Sequence, residues 1–421
     1  MLNRSYIINF SAFLIYLMPL SLLSGPLIPE IILFFTSTIF IIYSIKEKLW
    51  FYYTNYFSYF FIIFYFYITL RSLLSIDPVL SLESSLFYFR FGLFALTIWF
   101  LIDNKKNFIK NFSIFLFFTF ILAITDGIYQ IYHNYNLFGF ISPETRMSLT
   151  LNDNLYLGGF LSRLFPLLFA TLMYSYSSRL FISLLFILFI VTDVTIFVAG
   201  ERTAIGLMVI STVYILLMIN RYKKIRLMSF IISLIIISLI ILYSPDIKQR
   251  NITQTYNQLT STVSNIENGK NIQSLVILSP GHNQLFLTAL NMFKDKPIFG
   301  HGPKLFRKLC GNEKYAHNDF SCSTHPHNIY FQTLAEIGIF GLFFFIVIIS
   351  YFGTINVRHM ISKTLYSKAL ISDYQICISA CFLITLWPFF PTQNLFNNWI
   401  NIVFYLPIGF YLQSLNRKKN V

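Results

Sequence analysis

The sequence predicts an all-α polytopic membrane bundle of about twelve transmembrane helices with one large external loop. Three observations predict it. Hydrophobic residues make up 56% of the 421 positions and charged residues only 11%, against roughly a quarter charged in a soluble domain. Apolar runs of about 18 residues or more recur along the whole chain, each long enough to cross a bilayer. Basic residues gather on alternate connections between these runs, as the positive-inside pattern requires.

The runs fall at roughly 6–23, 27–45, 54–74, 83–102, 108–132, 155–175, 180–198, 203–220, 227–243, 327–350, 369–388 and 395–413. With Arg4 cytoplasmic, the cytoplasmic connections hold Lys46, Lys48, Lys105, Lys106, Lys110, Arg179, Arg221, Lys223, Lys224, Arg226, Arg358, Lys363, Lys368 and Arg417–Lys419. The opposite short loops hold almost none, which puts both termini inside. The net charge of +14 is therefore a topology signal whose partners are membrane lipids, with no nucleic acid implied. The first run lacks a small-residue cleavage site and leads straight into a second, so it reads as retained. Residues 1–421 form a single membrane domain without an internal repeat.

Two connections are long: about 133–154, and the polar 244–326 between the ninth and tenth spans. Loops of that length in a compact protein are usually functional. Within the second, His282–Lys294 alternates apolar and polar residues at helical spacing, which predicts a short surface helix lying on the membrane. Cys310 and Cys322 share that loop; a disulfide and two free thiols both fit the sequence. Cys377 and Cys381, one turn apart in a span, read as packing residues, and no cysteine has zinc-ligand spacing with the histidines.

Charge in lipid is costly and marks a cavity or a site by default. The spans contain Glu30, Arg90, Asp126, Arg163, Asp193 and Glu336, with Arg71 and Glu201-Arg202 at span ends. The charge topology places all of them on the outer side, Arg90 and Arg163 roughly 12 Å deep. Arginine binds phosphate with two parallel hydrogen bonds and stays protonated when partly desolvated. Arginines in an outward cavity suit a lipid-linked diphosphate; the alternative is that each staples helices through a nearby acid. Both readings stay open for Arg71 and Arg90, whereas the sequence around Arg163 and Arg202 favours the first. Of the histidines, His282, His301, His317, His325 and His327 belong to the large loop or its re-entry. A lone external histidine is ordinarily a solvated loop residue. His327 differs: it opens a helix after Pro326, which suits a first helical turn, and Asn328, Gly338 and Gly341 follow it. A neutral imidazole at the lipid boundary can take a proton from a sugar hydroxyl. The Gly338-Ile339-Phe340-Gly341 step is expected to let another helix approach and hold it.

The stretch His327-Asn328, nine residues, Gly338, two residues, Gly341-Leu342 resembles the signature of the O-antigen ligase and O-antigen polymerase superfamily. Gly200-Glu201-Arg202-Thr203-Ala204 resembles that family's arginine-bearing turn, and Lys296-Pro297-Ile298-Phe299-Gly300-His301-Gly302 its turn ahead of the signature. Trp387-Pro388-Phe389 and Asn397-Asn398-Trp399 resemble its penultimate outer loop, so the likeness spans roughly 150–415. It implies a GT-C-like bundle in a bacterial inner membrane, with the active site on the periplasmic face. It implies a donor glycan linked to undecaprenyl diphosphate and, as acceptor, lipid A–core or another lipid-linked glycan. His327 is implied as the catalytic residue and Arg202 as a donor-diphosphate ligand, with Arg163, Arg90 and His282 as further candidates and Asn328, Glu336, Gly338 and Gly341 in support. The family's loop arginine is missing: the place reads Ser279-Pro280-Gly281-His282-Asn283, so His282 or another arginine stands in. No Asp-x-Asp pair lies in an external loop, and the expected transfer is metal-independent, with no cofactor and with inversion at the anomeric carbon.

Ligase is the favoured activity and polymerase the alternative. A protein O-oligosaccharyltransferase and a lipid-linked glycan flippase or transporter remain as further readings. A transporter is expected to place coupling residues near the midplane within two related halves; here the charges crowd one side and no half-repeat is evident.

Overall fold

The computed structural model describes residues 4–142, 146–257, 280–316 and 318–417. Among these residues it is all-helical. Fourteen helices carry the architecture: α1 (Arg4–Ser21), α2 (Leu27–Lys46), α3 (Tyr56–Leu73), α4 (Pro78–Ser85), α5 (Phe89–Asn104), α6 (Phe108–His133), α7 (Leu157–Ser175), α8 (Arg179–Val198), α9 (Arg202–Met218), α10 (Lys223–Tyr243), α11 (Pro280–Asp295), α12 (Ile329–Tyr366), α13 (Asp373–Thr385) and α14 (Asn398–Arg417). Nine described segments are long and apolar enough to cross a membrane; α9 and α13 are shorter apolar helices. Each of the twelve expected runs coincides with a helix, α4 and α5 sharing one.

Helix α7 is the axis. Every residue from Leu157 to Met173 is buried, because α6, α8, α9, α13 and α14 all pack around it. In α10, by contrast, only four of 21 residues are buried, as befits a peripheral helix whose remaining faces suit lipid tails. One α10 residue departs from the sequence reading. Arg226, assigned to a basic loop, is fully buried and forms a two-pronged ion pair with Asp193 of α8 at 2.6 and 3.0 Å. Its guanidinium also bonds Thr212 of α9 and lies 5.1 Å from the Phe165 and Phe189 rings. Asp193 is thus a helix-joining carboxylate, and buried charge is not confined to one half of the bundle.

The expected surface helix exists as α11, but its apolar face meets protein. Leu285, Phe286, Ala289 and Met292 are buried in a small core with Phe306, Cys310, Tyr315 and Ala335, and Phe331 packs on it. Cys310 and Cys322 are disulfide-bonded, closing the loop beside this core. The glycine step also differs from expectation. Gly338 adopts φ 67°, ψ −167° and breaks α12, and its approaching partner is the Lys296–Gly302 turn rather than another helix. A Cβ on Gly338 would lie 2.3 Å from the Ile298 carbonyl oxygen, and one on Gly300 would lie 2.5 Å from that of Glu336. The His301, Gly302 and Ile339 amides donate to Ala335, Glu336 and Pro297 carbonyls at 2.7–3.0 Å, so the two backbones are stitched together. Gly341 faces Ile337 of its own helix.

Candidate active site

The start of α12 sets the histidine. Helix begins only at Ile329; Asn328 is its N-cap, accepting from the Tyr330 and Phe331 amides at 2.9 and 3.3 Å. Pro326 therefore lies outside the helix, correcting the first-turn reading. His327 has φ 54°, a left-handed conformation uncommon in a non-glycine residue and held only when its surroundings fix it. Its carbonyl accepts the Thr392 amide at 2.8 Å, and the Asn328 side chain donates to the Pro388 carbonyl at 2.9 Å. The 386–396 segment thus clamps the histidine.

Three imidazoles meet here. The His325 ring lies 4.2 Å from that of His327, and the His282 ring, from the first turn of α11, lies 5.6 Å away. Ser323 Oγ is 3.4 Å from His327 Nε2. His325 Nε2 faces the Thr392 carbonyl at 3.3 Å, and its Nδ1 faces the Thr324 hydroxyl at 3.1 Å. A carbonyl can only accept, so Nε2 of His325 carries hydrogen. Burial lowers the pKa of His327. Burial, then the charge of His327, takes His325 down to about 3; burial, then His327 and Arg202, takes His282 to about 4.

Two arginines that the sequence reading did not single out flank Arg202. The 146–149 segment runs back along the α8–α9 turn, its Met147 amide bonded to the Ala199 carbonyl at 3.2 Å, which carries in Arg146. Gln130, Asn136 and Asp126 organise that loop: Gln130 accepts the Ser148 amide at 2.8 Å, Asn136 donates to the Leu149 carbonyl at 2.8 Å, and Asp126 accepts the Leu137 amide at 2.7 Å. After α10 the chain folds over the same turn: Arg250 Nε donates to the Gly200 carbonyl at 3.3 Å, and Arg202 bonds Thr255 at 3.4 Å. Burial, then repulsion by Arg202 and Arg146, lowers the pKa of Arg250, and Arg202 in turn feels Arg146. No sequence signal set Arg250 apart, since the 244–326 loop also carries Lys248, Lys294, Lys296, Lys304, Arg307, Lys308 and Lys314.

Beside the three lies buried Glu201, which accepts the Gly159 amide at 3.1 Å. Burial drives its pKa up to about 7, against the opposing pull of that bond and of Arg146 and Arg163. Arg163 is buried in α7, over the Tyr156 ring at 5.4 Å, with Nη1 on the Gly159 carbonyl at 3.3 Å. It lines one end of a predominantly apolar cavity of about 1140 Å³ that also takes in Thr392, Gln393 and Asn394. The cavity extends between α3, α12, α13 and α14 to Asn55, Tyr411 and Asn416 near the other end of the bundle. At the Arg163 end, Arg163 Nε, Thr392 Oγ1 and Gln393 Oε1 are buried without a hydrogen-bond partner.

The remaining expected site residues sit elsewhere. Arg90 is ion-paired with Glu30 and bonds Asn398 at 3.0 Å and the Phe87 carbonyl at 2.7 Å, joining α2, α5 and α14. Arg71 donates to the Phe299 and Gly300 carbonyls, both at 2.9 Å, and so clamps the turn beside Gly338. Glu336 accepts the Phe306 amide and the Gln332 side chain, each at 3.0 Å, tying the loop to α12. Among the described residues no group of three or more His, Cys, Asp or Glu is placed to hold a metal ion.

Fold and site together define a polytopic helical membrane protein with an arginine and histidine cluster at one end of its bundle. Residues 184–346, less than half of the chain, match the family model described as O-antigen ligase. That match supports the O-antigen ligase and O-antigen polymerase superfamily, whose members are glycosyltransferase-like enzymes. It runs from α8 through Arg202, the large loop, His327 and the Gly338–Gly341 step. The comparison with curated proteins found no match.

Proposed function

We propose that the protein is an O-antigen ligase, moving a glycan from undecaprenyl diphosphate to lipid A–core at the periplasmic face of a bacterial inner membrane. The observation that carries this is a juxtaposition. Arg146, Arg202 and Arg250 form a cationic cluster whose charge reaches a trio of imidazoles that burial keeps from charging, and a long apolar cavity reaches Arg163 and the Thr392 that bonds His327. A diphosphate needs the first, a hydroxyl acceptor the second and a polyprenyl chain the third.

In this reading Arg202 and Arg250 grip the donor diphosphate, with Arg146 behind them and His282 alongside. They fill the place of the absent loop arginine. Preorganised guanidinium groups stabilise the negative charge that develops on the leaving diphosphate, and they need no reorganisation as it forms. His327 accepts the acceptor's hydroxyl proton, its burial keeping it neutral and ready. Direct displacement then inverts the anomeric carbon. Transfer through these residues calls for no metal or cofactor. The basic connections between helices keep both termini in the cytoplasm and this end of the bundle outside.

The experiment is deletion followed by analysis of surface glycan. Long glycan accumulating on its carrier with bare core at the surface supports ligase; core capped by single repeats assigns the protein to polymerase instead.

A further inference from the structure

We propose that His282 and His327 form an acid–base pair: His327 receives the acceptor's hydroxyl proton while His282 hands one to the departing diphosphate. This rests on the proposed donor site at Arg202 and goes beyond it by giving His282 a chemical task.

Placement comes first. His282 is in reach of both halves of the site: its ring is 5.6 Å from that of His327, and the charge of Arg202 acts on it. His325 is held by the backbone instead: its Nε2 faces the Thr392 carbonyl at 3.3 Å, a bond it can make only as donor.

Electrostatics then limit the pair to one proton. Arg202 from α9 and His325 and His327 from the segment ahead of α12 face His282, and all are cationic or capable of becoming so. The one carboxylate in the first turns of α12, Glu336, is bonded to the Phe306 amide and Gln332. The 386–396 segment packed on His327 carries no charged side chain. Without donor, His282 is therefore neutral, its pKa near 4. A bound diphosphate supplies the missing negative charge and draws a proton onto His282, which then serves as a cationic ligand. A second positive charge on His327, 5.6 Å away, is unfavourable as long as His282 stays charged. Proton arrival at one ring and departure from the other are thereby coupled.

The step balances. The acceptor O–H bond breaks, its proton going to His327, and that oxygen bonds the anomeric carbon. The bond from this carbon to the phosphate oxygen breaks, its electron pair staying on the oxygen, which takes the proton from His282. Water then removes the proton from His327, and the next donor recharges His282. With donor bound the two rings stand in opposite protonation states, as an acid–base pair requires.

The test uses the full-length protein in lipid nanodiscs and a prenyl diphosphate sugar diester, a probe whose phosphates titrate nowhere near neutrality. Calorimetry in two buffers of different ionisation enthalpy reads the protons taken up on binding. Wild type is expected to take up about one proton near neutral pH, its affinity falling up to about tenfold per pH unit. His282→Gln is expected to bind more weakly, with no uptake. His282→Arg, permanently charged, is expected to bind at least as tightly as wild type, again with no uptake. Yet in membranes from the native host it should transfer glycan about 10²-fold more slowly, having no proton to give. Binding by wild type without proton uptake, or wild-type transfer rates in His282→Arg, overturns the pair while leaving the donor site standing. Loss of binding in Arg202→Ala supports that donor site independently. No binding even by wild type overturns both.

Discussion

In the proposed mechanism His327 owes its reactivity to burial rather than to a charged partner. Burial lowers its pKa below the usual 6.5, and its left-handed backbone is pinned by Thr392. Replacing it with alanine is expected to cut glycan transfer by about 10²–10⁴-fold while leaving membrane insertion intact, as checked by transfer assays and membrane fractionation. Because the neutral ring is the active form, wild-type transfer should hold through mildly acidic pH and decline only as pH falls through the depressed value. A pH–rate profile whose acid limb lay above 6.5 would count against it. The same depression has a stability consequence for His282. Its folded value near 4 lies below the usual 6.5, so in that window the unfolded chain binds more protons. The folded state should therefore lose stability as pH falls from about 6.5 toward 4, measurable as a lower thermal midpoint. Arg250→Ala should weaken donor use about as much as Arg202→Ala, roughly 10–100-fold for a lost charge-assisted contact, seen as a raised KM for donor. His327 and Arg202 stand out as candidates in the sequence because their motifs are local. Arg146 and Arg250 do not, since each arrives by a loop folding over a distant turn.

Between elements, the decisive join is the crossing of the Lys296–Gly302 turn over Gly338. The sequence marked both glycines, but it suggested helix-on-helix packing. The structure instead uses a positive φ at Gly338 to break α12 and admit the turn. Gly338→Ala must accommodate a backbone conformation open essentially to glycine alone, costing about 1–3 kcal/mol, and a Cβ only 2.3 Å from the Ile298 oxygen. Reduced thermal stability and reduced transfer are expected together, with retained activity at full stability arguing against the join. The amphipathic helix α11 teaches a related lesson. Periodicity located its apolar face correctly, yet what covers that face is the cystine-closed loop and the start of α12. Cys310→Ser should free the chain leading to Ser323 and His327, a loss of up to about 3 kcal/mol in a small loop. Faster proteolysis of that loop and slower transfer would be the readout.

At the scale of the whole molecule, the cavity runs from buried polar groups at Arg163 through an apolar interior between the helices. Its Arg163 end holds buried polar atoms without partners, and its far end reaches Tyr411 and Asn416. Ile408→Trp, which narrows the cavity partway along, is expected to raise KM for long-chain lipid donors by about tenfold and to leave short-chain analogues unaffected. Equal effects on both would argue that the chain lies elsewhere. The sequence by itself determined the helical class, the positions of twelve apolar segments and the amphipathic helix, and it nominated His327 and Arg202. These follow from hydropathy, periodicity and short motifs, all local properties of the chain. Only the tertiary structure decided the fate of each buried charge. Arg90 went to Glu30, Arg226 to Asp193 and Arg71 to the turn, whereas Arg146 and Arg250 came to Arg202. The physical reason is that a charge in a low-dielectric bundle is governed by whatever lies within a few ångströms of it, and in a helical membrane protein those neighbours come from remote parts of the sequence.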